Sequence, residues 1–213
     1  MENRYQNLSF LHRKSLEIMN RALILIECQN EWLSPKGKLR RLIKDRELFD
    51  LSVSNISKCL EYARNLKIPI AHVGLRFQKG YPELVNGKSG LNKAIPIFGT
   101  FPLNEFGSGF YESFQPVDGE FVVTGRTGAS GFAGSNLDIW LRNNKVEDLY
   151  LVGYATHVCV ESTLREAHDK GYNPILIADA SSAFNRSQQE YVVKHIVHHF
   201  GESLNTFEFL KVK

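Results

Sequence analysis

Short apolar runs recur along the chain, and stretches with helical spacing separate them. The first run occupies residues 22–26, is apolar throughout and is followed directly by Glu27. Such a run is typical of a strand that lies in a parallel sheet and is buried on both faces. Further strands are predicted at 68–75, 120–124, 149–152 and 174–178, with an edge strand at 206–210. The alternation predicts an α/β fold, a three-layer α/β/α sandwich around a mainly parallel sheet of about six strands.

Helices are predicted where apolar residues recur every three to five positions. The longest such stripe spans 48–66, and shorter ones occupy 135–143, 159–170 and 187–200. Residues 76–119 are irregular and rich in glycine, proline and aromatic residues. Because connections this long inside a compact domain are usually functional, we expect a substrate lid or a subunit interface there.

The composition of the 213-residue chain suits one soluble domain with a sizeable core. We expect residues 1–20 to form an N-terminal arm or short helix, and 21–213 to form a single domain. The net charge is only +3, and the basic residues are scattered apart from a short cluster at 36–44. No apolar run reaches the length of a membrane span. We therefore expect neither nucleic-acid nor membrane partners.

The three cysteines are far apart in sequence and form neither a disulfide framework nor a CxxC pair. The N-terminal stretch is polar and charged and does not resemble a signal peptide. These two features predict a cytoplasmic protein.

Cys159 follows the predicted strand 149–152, after Gly153, and would lie in the first turn of a helix. Backbone N–H groups in that turn have no partners within the helix, and the positive end of the helix dipole is close. Both effects favour a thiolate and hence a nucleophile. The alternative is a buried core residue, which is what a lone cysteine usually is.

Two charged residues, Glu27 and Arg126, also follow predicted strands, as Cys159 does. Glu27 ends the first predicted strand, where α/β sheets place their functional sites. Arg126 lies in a glycine-rich turn at 125–134, which matches neither of the glycine patterns that bind phosphate groups.

Three segments together resemble the isochorismatase-like cysteine hydrolase family, which is related to nicotinamidase and N-carbamoylsarcosine amidase. They are ILIECQNEW at 24–32, GRTGASGFAGSNLDIWLR at 125–142 and GYATHVCVESTLREA at 153–167. The resemblance extends from about residue 21 to residue 200. It implies the isochorismatase-like hydrolase fold, with a Rossmann-like sheet, and a chain that works as a hydrolase.

The resemblance also implies a set of site residues. The family triad is Asp, Lys and Cys, and the matching positions here are Glu27, Arg126 and Cys159. An oxyanion hole is implied at the backbone N–H groups of Ala155 and Cys159, with a cis peptide between Tyr154 and Ala155. Substrate contacts are expected from four residues nearby, which are Trp32, Phe132, Tyr154 and His157.

Both supporting triad members are longer than the family residue of the same charge. Glu27 can still act as a base, although its extra methylene moves the carboxylate by about 1.5 Å. Arg126 cannot give up its proton and would act through its charge alone. The alternative is that Glu27 and Arg126 form a structural ion pair in a protein whose activity has changed.

The implied reaction is hydrolysis of a small amide or carbamoyl C–N bond through a Cys159 thioester. Two alternatives stay open: an isochorismatase-type vinyl-ether hydrolase, and a catalytically altered, oligomeric binding protein that keeps the fold. The expected partners are a small-molecule substrate and further copies of the chain. Because the family is commonly oligomeric, we expect a homo-oligomer, a dimer or a tetramer.

We expect neither a metal nor another cofactor. The Asp-x-His stretch that nicotinamidases use for a metal is missing after the second predicted strand, and His72 is interpreted as a core residue. His195 and His199 are spaced as an i, i+4 pair that could bind zinc, but no carboxylate or cysteine is evidently placed to complete the site.

Overall fold

The computed structural model describes residues 20–212 and contains a six-stranded sheet with the strand order β3-β2-β1-β4-β5-β6. All neighbouring strands pair in parallel. The strands are β1 (Arg21–Ile26), β2 (Ile70–Val73), β3 (Phe121–Val122), β4 (Asp148–Tyr154), β5 (Asn173–Ser182) and β6 (Glu202–Leu204). This topology confirms the predicted fold class.

Helices connect the strands. They are α1 (Asn30–Leu33), α2 (Arg46–Leu66), α3 (Gly90–Phe98), α4 (Leu137–Asn143), α5 (Glu161–Asp169), α6 (Arg186–His195), α7 (Val197–Phe200) and α8 (Thr206–Phe209). A π-helical turn, Thr156–Val160, joins β4 to α5, and short 3-10 turns occupy Arg40–Leu42, Pro82–Leu84, Phe106–Ser108 and Glu112–Phe114.

The central strand β1 separates two hydrophobic layers. Its odd-numbered residues Leu23 and Leu25 face one core cluster, and Ala22, Ile24 and Ile26 face the other. All five are fully buried. Since successive side chains of a strand point to opposite faces, an apolar run without alternation must be covered on both sides.

The long helix α2 covers one face of the sheet. Its N-cap is Asp45, whose carboxylate accepts the Leu48 N–H at 2.9 Å. Its buried side includes Phe49, which packs on Tyr154 with the ring centroids 5.0 Å apart, and Asn55, whose amide donates to the Asp179 carbonyl at 3.0 Å. These contacts hold α2 against the carboxyl ends of β4 and β5, next to the site.

The expected edge strand at 206–210 is wrong. The edge strand is Glu202–Leu204, and Thr206–Phe209 is a helical turn. Asn205 and Glu208 form a capping box, in which each side chain bonds the other residue's backbone N–H, and this fixes a helix start. Phe209 then packs on Tyr150, with the ring centroids 4.9 Å apart.

The remaining boundaries differ from expectation in smaller ways. The helix expected at 187–200 breaks at Ile196 into α6 and α7. The irregular segment 76–119 contains α3 and three 3-10 turns, and buries Phe77, Phe101 and Phe114. Within residues 20–212 no helix is long and apolar enough to cross a membrane. The arm expected at 1–20 lies outside the described residues except for Asn20.

Candidate active site

The site lies where the strand order reverses, between the adjacent strands β1 and β4. Ligands of open α/β sheets bind in the crevice at such a point, beyond the carboxyl ends of the strands. Glu27 follows β1 and Cys159 follows β4, while Arg126 comes from the loop between β3 and α4. The fold therefore brings together three residues that are up to 132 positions apart in sequence.

Glu27 is buried, and both of its carboxylate oxygens have partners. Oε1 accepts from Nη2 of Arg126 at 2.8 Å, and Oε2 accepts from Nε1 of Trp32 at 2.7 Å. The backbone has left the strand here, with a φ of 52°. Non-glycine residues seldom adopt this left-handed conformation, and it often marks functional positions. Glu27 is thus held in one orientation by two charge-assisted hydrogen bonds.

Arg126 is 2% exposed, and its own loop holds it in place. Nε donates to the carbonyls of Gly128 and Ser130, both at 3.1 Å, and Nη2 also donates to the Ala129 carbonyl. Burial alone would lower the pKa of this guanidinium, but the charges of Glu27 and Cys159 and its bonds to them raise it instead. Arg126 is therefore a fixed cation. Its Nη1 has no hydrogen-bond partner within residues 20–212.

Cys159 lies in the π-helical turn and is 3% exposed. Burial raises the pKa of its thiol well above the usual value, the negative charge of Glu27 raises it further, and Arg126 opposes both. Burial and the charge of Glu27 therefore oppose the thiolate that the free N–H groups of the turn favour. Cys159 rests as a thiol beside a carboxylate and a guanidinium that both interact with its sulfur.

Thr163 of α5 connects the cysteine turn to the arginine loop. Its hydroxyl donates to the Cys159 carbonyl at 2.6 Å and accepts from the Gly131 N–H at 2.8 Å. The peptide bond between Tyr154 and Ala155 is cis, as the resemblance implies. Ala155 and Cys159, the two residues expected to form an oxyanion hole, both line the same cavity.

That cavity has a volume of about 120 Å³. Glu27, Ala155 and Cys159 line it, and helix α3 contributes further lining residues. The rest of the described lining is mainly apolar, and includes Leu75, Leu91, Ile95, Phe98, Phe101 and Phe184. The cavity can hold a carbonyl carbon next to the thiol.

Trp32 also lines the cavity, so among the four expected substrate contacts it is the one that the structure places there. The structure does not bring the other three to the described lining. Tyr154 packs beneath the site and its hydroxyl bonds Ser52 at 3.0 Å. Phe132 lies in the opposite core layer, stacked on Tyr172.

His157 is not among the described residues that line the cavity. Its ring contacts the lining residue Phe184 edge to face, with the centroids 4.5 Å apart. Burial lowers its pKa, and the negative charge of Glu161 opposes this shift. His157 is therefore neutral at pH 7 and does not act on the thiol as a cation.

Sequence reasoning did not identify the α3 residues of the lining. Leu91, Ala94, Ile95 and Phe98 follow i, i+3, i+4, i+7 spacing, which is the signal of an amphipathic helix. Gly90 at the start and Pro96 inside the helix hid this pattern.

Metal ligands are not grouped in the described part of the chain, where no cluster of three or more His, Cys, Asp or Glu residues could hold an ion. His72 is buried and its Nε2 lies 2.7 Å from Oε2 of Glu120, in agreement with its interpretation as a core residue. The helix that would carry His195 and His199 breaks between them, at Ile196.

Comparison with known proteins agrees with this geometry. The family model of the isochorismatase domain matches residues 21–207. The chain belongs to the isochorismatase family.

Relatives in this family include proteins of named and of unknown activity. An uncharacterised isochorismatase family protein of Bacillus subtilis is 40% identical over 94 residues, which are 44% of this chain and 49% of that relative. The ureidoacrylate amidohydrolase of Methylobacterium radiotolerans is 34% identical over 180 residues, covering 75% of this chain and 66% of its own. The match thus spans about half to two thirds of the length of these relatives.

Solved structures share the fold. A cysteine hydrolase from Pseudomonas syringae superposes with a TM-score of 0.78 at 22% identity, covering 92% of both chains. An N-carbamoylsarcosine amidase from Thermoplasma acidophilum has a TM-score of 0.69 at 23% identity and covers 88% of this chain and 96% of its own.

Proposed function

We propose that this isochorismatase family member is a cysteine amidohydrolase that cleaves a small amide or carbamoyl C–N bond through a Cys159 thioester. One observation carries the proposal: the thiol of Cys159 interacts with the carboxylate of Glu27 and the guanidinium of Arg126, and Cys159 and Glu27 line one cavity. A nucleophile, a base within reach of its proton and a fixed cation are the groups that acyl transfer needs.

The reaction begins with the neutral thiol. Glu27 takes the thiol proton as the sulfur attacks the carbonyl carbon, so that a C–S bond forms and the carbonyl electron pair moves to the oxygen. The N–H groups of Ala155 and Cys159 stabilise this oxyanion. Arg126 keeps its proton throughout and stabilises the negative charge on sulfur and carboxylate.

The intermediate then collapses in two stages. The C–N bond breaks as protonated Glu27 gives its proton to the leaving nitrogen, which leaves a thioester on Cys159. Water, deprotonated by Glu27, attacks the thioester carbon, the C–S bond breaks, and the sulfur recovers a proton from Glu27. The products are a carboxylic or carbamic acid and ammonia or an amine.

The relatives favour C–N cleavage over the other family chemistry. A relative that is 34% identical is named an amidohydrolase, and a structural neighbour is an N-carbamoylsarcosine amidase. In the vinyl-ether alternative the cysteine has no role, whereas here the thiol lies between the acid and the guanidinium.

The test is ammonia release from a panel of small amides and ureido compounds. The variant Cys159→Ser should lose at least about a thousandfold in kcat. The matched control is Cys59→Ser, a buried thiol bonded to Thr206 that lies outside the cavity lining, and it should keep activity. An acyl group on the Cys159 peptide, released by hydroxylamine as a hydroxamate, identifies the thioester. Cys159→Ser activity within tenfold of wild type would remove the nucleophile.

A further inference from the structure

The lining of the cavity carries information about the substrate beyond the reacting bond. Its described residues include leucine, isoleucine and phenylalanine side chains from α3 and from the loops around it. Thr100 is the uncharged polar residue among them, and Glu27 is the charged one. Apolar walls with few polar groups are suited to an apolar part of a ligand.

The charges of the lining residues also restrict the substrate. Glu27 is already paired with Arg126 and bonded to Trp32, so it offers little to a substrate cation. No cationic side chain is found among the described residues of the lining, so a substrate carboxylate would lose its water without gaining a partner. A charged acyl group of either sign is therefore disfavoured.

The volume of the cavity limits the size of the acyl group. A cavity of about 120 Å³ is close to the roughly 150 Å³ apolar cavity that holds benzene in another protein. An acyl group with about four to seven carbon atoms matches that space.

We propose that the substrates are neutral primary amides whose acyl part is compact and apolar, such as a branched aliphatic chain or a phenyl ring. This inference rests on the proposed cysteine amidohydrolase function and adds its specificity. Within the series, each methylene that the cavity buries should raise kcat/KM by about fourfold until the cavity is full.

The experiment compares kcat/KM for acetamide, isobutyramide, isovaleramide and benzamide with that for two charged amides of similar length, succinamate and β-alaninamide. The neutral series should rise from acetamide to isovaleramide, and both charged amides should be at least about tenfold poorer than isovaleramide. A flat neutral series, or a preference for succinamate or β-alaninamide, would overturn the inference.

A matched pair of variants tests the charge argument. Leu91 lines the cavity and is 37% exposed, so that Leu91→Arg places a cation at the lining without burying it. The ratio of succinamate to isovaleramide activity should rise at least tenfold. Ile139 of α4 is 63% exposed and outside the lining, so Ile139→Arg should leave the ratio unchanged. An unchanged ratio in Leu91→Arg, or an equal rise in both variants, would contradict the assignment.

If no amide is hydrolysed, a binding measurement distinguishes failure of the proposed chemistry from failure of the proposed substrate class. Cys159→Ala removes the thiol and keeps the walls, and calorimetry on it measures the affinity for isovaleramide and succinamate. Tighter binding of isovaleramide, without hydrolysis by the wild type, would retain the substrate class and reject the chemistry. Equal or absent binding of both would reject the substrate class itself.

Discussion

Trp32 occupies the second oxygen of Glu27 and so fixes how the carboxylate approaches the thiol. Replacing it by phenylalanine keeps most of the apolar surface but removes the indole donor. A hydrogen bond to a charged group contributes about 1.5–3 kcal/mol, so Trp32→Phe should lower kcat by at least about tenfold. Trp140→Phe is the control, because Trp140 stacks on Phe121 away from the cavity. Steady-state kinetics of both variants measure the effect. An unchanged kcat in Trp32→Phe would contradict the positioning role of Trp32.

The pairing of two long side chains can be examined by a double-mutant cycle. Glu27→Asp withdraws the carboxylate from Arg126, and Arg126→Lys loses the donors that bond three loop carbonyls as well as Glu27. Because the residues are 2.8 Å apart, their losses in kcat/KM should couple by about 1 kcal/mol or more. The coupling is obtained from kcat/KM of the wild type, the two single variants and the double variant on one substrate. Strictly additive losses would mean that the two residues act independently.

Sequence reasoning named the three residues that meet, but it did not give the protonation state of the thiol. The meeting could be predicted because Glu27, Arg126 and Cys159 all follow predicted strands, and parallel strands end at one edge of a sheet. The thiol state depends on burial by loops and by α3, which no local pattern reveals. The same limit applies to Phe132 and Tyr154, whose side chains point into the core layers.

At the scale of the elements, the closeness of β1 and β4 depends on Gly153. Its φ is 119°, and a Cβ there would lie 2.0 Å from the Ile26 carbonyl oxygen. Gly153→Ala should therefore reduce the free energy of unfolding by about 3 kcal/mol or more, through strain and a backbone clash. Gly171→Ala separates the two causes, since Gly171 also has positive φ but no atom within 4 Å of the added Cβ. Urea denaturation midpoints that fall equally in both variants would rule out the clash.

Elements were predictable where hydrophobic patterns are long. The buried run of β1 and the stripe of α2 were recognised, since each keeps one period over its length. Short elements are decided by caps and tertiary contacts instead. The capping box at Asn205 turned an apparent edge strand into α8, and α3 was hidden by the proline inside it.

On the scale of the whole molecule, an apolar surface near the cavity predicts self-association. Ile97, Leu103 and Phe106 are 66%, 44% and 56% exposed. All three belong to the irregular segment 76–119, and large exposed apolar patches are typical of interfaces between proteins. We expect a dimer or a tetramer, and sedimentation velocity at micromolar concentration measures it. A single monomeric species would contradict the expectation.

The buried thiols predict a loss of stability at high pH. Burial is the largest cause that raises the pKa of Cys59, to about 12, and the pKa values of Cys28 and Cys159 are raised in the same direction. An unfolded thiol has a pKa of about 8.5. Above that pH the unfolded chain releases protons that the native state retains, so the free energy of unfolding falls as pH rises.

The window for this loss runs from about pH 8.5, the unfolded value, to about pH 12 for Cys59. Within it each thiol should contribute a slope of about 1.4 kcal/mol per pH unit, and Cys59→Ala should remove one such share. Urea denaturation at pH 7.5, 9.5 and 10.5 measures both slopes. In the Cys59→Ala variant Cys28 and Cys159 keep their shares of the slope, and Tyr154, whose pKa is also raised by burial, adds to it at the highest pH. Equal slopes in wild type and Cys59→Ala would show that the Cys59 thiol ionises as readily in the native state as in the unfolded chain.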